Sequence, residues 1–236
     1  MLLVLVAMLS PLALAAVANH AFASDSPTFC GLPAAAFASA VPSTEGDEIL
    51  VGAANADLIR CFGGNDQLLG NAGDDLLYGG QGIDEMIGDA GADELYPHED
   101  EDNMWGGDGD GVIFGGPVAD RMIGDVGLDE LYGNEGEDEM WGGGEKDTLD
   151  GGPDSDLLVG DSCDDFLSGN AGDDVIFGEA GADMLAGGAG NDKLYGRDDR
   201  DLLYDEVGDD LLNGGYGADG YSDPMGANKM VECEGP

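Results

Sequence analysis

Across 236 residues the chain carries 51 acidic side chains against 7 basic ones, for a formal net charge of -44, together with 43 glycines and a hydrophobic content of 42%. Charge of that sign excludes a nucleic-acid partner, because phosphate binding needs clustered Lys and Arg, and a compact fold must recruit cations to offset its self-repulsion. The apolar content excludes simple disorder.

Residues 1–23 contain no charged side chain, run through Leu2–Leu9 and Leu12–Ala18 around Pro11, and end in Ala21-Phe22-Ala23. That pattern predicts a secretory signal peptide of the Sec type, cleaved after Ala23, and a secreted, extracellular protein. No later apolar run is long enough to span a bilayer, so no transmembrane segment is expected. No lipobox surrounds Cys30. Residues 24–42 form an N-terminal cap or linker.

From residue 43 to 223 a nine-residue period sets in. Its acids are Glu48, Asp57, Asp66, Asp75, Asp84, Asp93, Asp102, Asp120, Asp129, Asp138, Asp147, Asp156, Asp165, Asp174, Asp183, Asp192, Asp201, Asp210 and Asp219, with Gly111 as the one break in twenty positions. Two residues after each stands an apolar side chain, from Leu50 and Ile59 through to Leu212 and Tyr221. Glycine follows the acid by four residues in sixteen of the twenty copies and precedes it by two in thirteen. The unit is therefore G-G-x-G-x-D-x-U-x, with U apolar. Residues 224–236 are left as a C-terminal cap or tail.

Glycines supply positive-φ turns, and x-U-x is expected to form a short strand with U facing inward. One unit alone buries almost nothing. Two units per coil, stacked, give an all-β, right-handed parallel β-solenoid of about ten coils, in which residues eighteen apart lie above one another; at a strand spacing of about 4.8 Å it is roughly 45 Å long.

By this nonapeptide, the stretch from Ser43 to about Asp223 resembles the RTX calcium-binding repeats, and the resemblance implies a parallel β-roll. It also implies that each Ca2+ sits between a turn and the one eighteen residues on, taking the aspartate of both and backbone carbonyls around the glycines. Carried over, the ligand-bearing residues are Asp57, Asp66, Asp75, Asp84, Asp93, Asp102, Asp120, Asp129, Asp138, Asp147, Asp156, Asp165, Asp174, Asp183, Asp192, Asp201 and Asp210. The turn glycines are Gly64, Gly73, Gly82, Gly91, Gly127, Gly136, Gly172, Gly181, Gly190 and Gly208. The pairs Asp66 with Asp84, Asp75 with Asp93, Asp174 with Asp192 and Asp192 with Asp210 fit best. Oxygen-only donors suit Ca2+, which accepts six to eight of them, better than Mg2+. With Gly111 spoiling two of eighteen same-side pairs, up to about sixteen ions are expected, enough to bring -44 to -12. Sites at turns where Asn55, Asp100, Val118, Glu145, Asp154, Cys163 or Asp199 replaces the second motif glycine are expected to be weaker or empty. The same holds where Cys61, Pro97, Asp205 or Asp223 replaces the first.

An EF-hand fails at Asp108-Gly109-Asp110-Gly111-Val112, which places Val at the third ligand position. Catalysis is not expected: the mature chain has one histidine, His98, which leaves zinc H-E-x-x-H and Ser-His-Asp arrangements without partners. The reading is thus a secreted calcium-binding protein whose roll folds on binding the metal, the alternative being a calcium-stiffened surface or matrix module for adhesion.

Two further expectations concern surface and cysteines. The outward column Val51, Leu69, Ile87, Trp105, Ile123, Trp141, Val159, Phe177 and Tyr195 is apolar and offers a face for self-association or surface binding. Cys61 and Cys163 lie 102 residues apart, roughly 27 Å along the coils and beyond disulfide reach. Cys30 with Cys61 is the favoured pair.

Overall fold

The computed structural model describes residues 39–41, 43–222 and 229–233. The segment read as a signal peptide, Cys30 and Asp223 lie outside the described residues. The described residues are all-β: two sheets of eleven parallel strands, alternate strands falling in alternate sheets. The first sheet begins Ser39–Val41, Asp57–Arg60, Leu76–Gln81 and ends at Gly220–Ser222; the second begins Ile49–Val51, Gln67–Ala72, Glu85–Ala90 and ends at Lys229–Cys233.

Neighbouring strands pair with an eighteen-residue offset, as in Leu68↔Met86, Met86↔Met104 and Leu131↔Leu149, until the last pair slips by one residue at Gly215↔Glu232. One coil is two nonapeptides, and the chain is a parallel β-solenoid of about ten turns. The period reaches past the acid series at both ends, since Ser39 pairs with Asp57 and Lys229 with Leu211.

Most strands are longer than the x-U-x expected from sequence. Leu76–Gln81, Arg121–Val126 and Val175–Ala180 each run six residues and take in the first glycine of the next motif. Their burial alternates, with U and that glycine both inside. The reason is the carboxylate. A methyl group on Gly142 would lie 2.5 Å from Asp147 Oδ2, and one on Gly160 2.5 Å from Asp165 Oδ2. An inward position with no side chain is what lets the aspartate fold into the coil.

The core is the U column. From Ile59 to Leu212 every member is fully buried, with Met86, Met104, Met122 and Met140 filling the second sheet's side near its middle. Stacking supplies all of this burial, which no single coil possesses.

Outside, identical columns stack ring on ring. Tyr78, Tyr96, Phe114 and Tyr132 lie 4.9–5.2 Å apart at interplanar angles of 12–15° along the first sheet. On the second sheet Phe177 stacks on Tyr195 at 4.9 Å, while Arg121 lies over Trp141 and Arg197 over Phe177. All nine apolar residues of that sheet's outward column are half-buried by their own neighbours.

Candidate metal centre

Parallel strands leave one backbone problem per nonapeptide, at the aspartate. Its carbonyl accepts from the next coil, as in Glu85 N–H to Asp66 O at 2.8 Å. Its own N–H points at the next coil too, and there the acceptor is a side chain. Asp66 N–H donates to Asp84 Oδ1 at 2.8 Å, Asp75 N–H to Asp93 Oδ1 at 2.7 Å, Asp174 N–H to Asp192 Oδ1 at 2.8 Å and Asp192 N–H to Asp210 Oδ1 at 3.0 Å. The four pairs singled out in the sequence are thus brought together, and the same ladder runs from Glu48 to Asp219.

Each carboxylate has spent one oxygen on this ladder. The other is bare. From Asp66 to Asp201, all fifteen aspartates of the series leave Oδ2 buried with no hydrogen-bond partner. They are 0–4% exposed. Burial therefore pushes the carboxyls upward: Asp75, Asp84 and Asp93 to about 6, Asp120, Asp138 and Asp147 to about 7, and Asp102 and Asp165 to about 8. An anion so placed is stable at neutral pH only beside a cation.

Carbonyl oxygens face the same spaces. A methyl group on Gly88 would lie 2.5 Å from the Gly106 carbonyl and 2.9 Å from Asp93 Cβ; one on Gly124 would lie 2.5 Å from the Gly142 carbonyl and 2.6 Å from Asp129 Oδ2. The carbonyls of Gly73, Gly91, Gly109, Gly172 and Gly190 each point at the glycine eighteen residues on. A row of bare carboxylate oxygens among convergent carbonyls is an oxygen-donor set of the kind Ca2+ accepts.

The turn glycines named from sequence hold the left-handed backbone: φ is +107° at Gly64, +124° at Gly73, +113° at Gly82, +155° at Gly127 and +158° at Gly190. Gly208 does not share it. Most turns lacking this glycine keep the conformation, with φ of +75° at Asp100, +78° at Glu145, +82° at Asp154, +81° at Cys163 and +71° at Asp199. Replacement there changes the strain, by about 1–2 kcal/mol per residue, and not the shape. Val118, β-branched, does not adopt it.

Gly111 is the one gap in the carboxylate ladder. Its N–H still donates to Asp129 Oδ1 at 2.7 Å, but it offers Asp93 nothing in return. A methyl group on Gly111 would lie 3.1 Å from Asp129 Oδ1 and 3.7 Å from the Asp93 carbonyl, and no positive φ forbids a side chain. Gly111→Asp is expected to raise the bound calcium by about two ions, one on each side of the new carboxylate. Equal stoichiometry for variant and parent in equilibrium dialysis would refute the eighteen-residue pairing of ligands.

Two substituted first glycines bring new ligand atoms inside. Cys61 is 2% exposed, its thiol lies with Glu48 and Asp66, and burial pushes it well above the ordinary thiol range. Cys163 is exposed. Asp205 joins Asp192 and Asp210. Sequence reading by columns treated Asp205 as a defect; the signal it missed is that an inward position beside the acid column had gained a second acid.

The family model of the RTX calcium-binding nonapeptide repeat (4 copies) matches residues 43–77, 78–113, 114–149, 141–176, 150–185, 159–194 and 195–221. The chain belongs to the RTX calcium-binding repeat family. It is a calcium-binding repeat protein, and its buried aspartate rows are the part of the roll that fits the ion. No curated protein matches the chain.

Proposed function

We propose that this RTX protein is exported and non-catalytic, and that its roll folds as calcium fills the spaces between stacked turns. One observation carries the reading: fifteen buried carboxylates of the series, each with one oxygen accepting from the preceding coil and the other bare. Without cations these rows repel across each step of about 4.8 Å; with them the rows become the strongest contacts between coils. The apolar, uncharged residues 1–23 support export, into a compartment where calcium is plentiful. Among the described residues no helix is long and apolar enough to cross a membrane.

A calcium titration followed by circular dichroism tests this. At neutral pH, β signal is expected to rise cooperatively with Ca2+ and much less with Mg2+ at equal concentration. A full β spectrum in excess chelator would overturn the coupling of folding to metal.

A further inference from the structure

We propose that Asp205 makes the space between the Asp192 and Asp210 turns a three-carboxylate site, and that this site takes the tightest-bound Ca2+ of the chain. The inference rests on the calcium reading above and adds a rank among the sites.

In sixteen of the twenty copies the position four residues after the acid is glycine, and its space is used by a neighbouring aspartate. Here it carries its own acid. One carboxylate oxygen each from Asp192, Asp205 and Asp210 lie within 4.8 Å of one another, and the three residues are 1–3% exposed. Asp192 and Asp205 both leave Oδ2 buried without a hydrogen bond, while their Oδ1 atoms are held by Asp174 N–H and Glu206 N–H, each at 2.8 Å. The facing surface is bare backbone: a methyl group on Gly187 would lie 2.7 Å from Asp192 Oδ2 and 3.0 Å from Asp205 Oδ1.

The local chain is rebuilt to bring Asp205 there. Its strand, Leu202–Tyr204, stops after three residues, and Asp205 N–H donates to Ser222 O at 2.9 Å. Val207 then crosses to Gly188 O at 2.9 Å, and neither Glu206 nor Gly208 takes the left-handed conformation that their counterparts in most coils do. An additional carboxylate raises the attraction for a hard cation, and affinity among oxygen-donor sites follows the number of charged ligands. Trivalent lanthanides, of similar size to Ca2+, should gain more than Ca2+ itself.

Calorimetric calcium titration of the full chain decides the matter with three variants. Asp205→Asn keeps the acceptor for Glu206 N–H and removes the charge; Asp205→Gly restores the motif residue; Asp129→Asn alters a turn beside the Gly111 gap that carries no acid at the first-glycine position. The expected result is a tightest class of about one ion, weakened about tenfold or more by both Asp205 variants and left in place by Asp129→Asn. If Asp205→Gly binds every ion as tightly as the parent or more so, the proposal is wrong and Asp205 is only a replaced glycine. If Asp129→Asn abolishes the same class, the rank assigned here is also wrong. A parent that takes up no calcium at all would instead remove the proposed function.

Discussion

In excess chelator the chain is expected to be unfolded at about pH 8 and to recover β structure, with no metal present, on acidification to about pH 4. The row aspartates from Asp75 to Asp201 have folded-state values of about 6 to 8, raised by burial above the ordinary carboxylate value near 3.9. A group whose value is raised on folding stabilises the fold fully below its unfolded value, and that contribution is lost as pH rises through its folded value. The loss therefore begins near pH 4 and is complete by about pH 8, and at the acid end a proton stands in for the cation. Circular dichroism against pH in chelator, beside a calcium-saturated control, reads this directly. A metal-free chain equally unstructured at both ends of the range would show that neutralising the rows is not what folds the roll.

Gly124→Ala should cost about 3 kcal/mol, with loss of bound calcium, although alanine is the smallest possible change. The added methyl would meet the Gly142 carbonyl at 2.5 Å and Asp129 Oδ2 at 2.6 Å, backbone and ligand at once. Gly143→Asn, one coil on and next to Gly142, should cost about 1 kcal/mol or less. Asn71, Asn134 and Asn170 already occupy that position of the repeat at φ of +69° to +76°. Denaturant unfolding in saturating calcium separates the two; similar losses for both would mean that the inward glycine is no more constrained than the turn glycine.

The period, the paired coils and the acid column were legible because each rests on one residue type recurring at one offset. Leu68, Met86 and Met104 announce their own alignment. Strand length was not legible: Gly79 and Gly88 look like turn residues, and only the carboxylates folded over them explain why they stand inside strands. Nor were the left-handed turns at Glu145, Cys163 and Arg197, where stacking imposes a conformation those residues do not choose. Asp205 escaped for a different reason. Its meaning depends on Asp192, thirteen residues earlier and on the neighbouring coil, a relation that no single column displays.

The two sheets carry different outward columns near their middle, the rings Tyr78, Tyr96, Phe114 and Tyr132 on one and Ile87, Trp105, Ile123 and Trp141 on the other. Deleting nine residues would leave every hydrogen-bonded register intact, since the period is nine, yet all later strands would change sheets. With the deletion just after Ile123, Asp150 would follow Ile123 and Trp141 would follow Phe114, and both columns would break at the scar. Deleting eighteen would join like to like. The chain therefore tolerates changes of length in steps of a whole coil and resists half steps, and the constraint comes from its solvent-facing side rather than from its core or its metal rows.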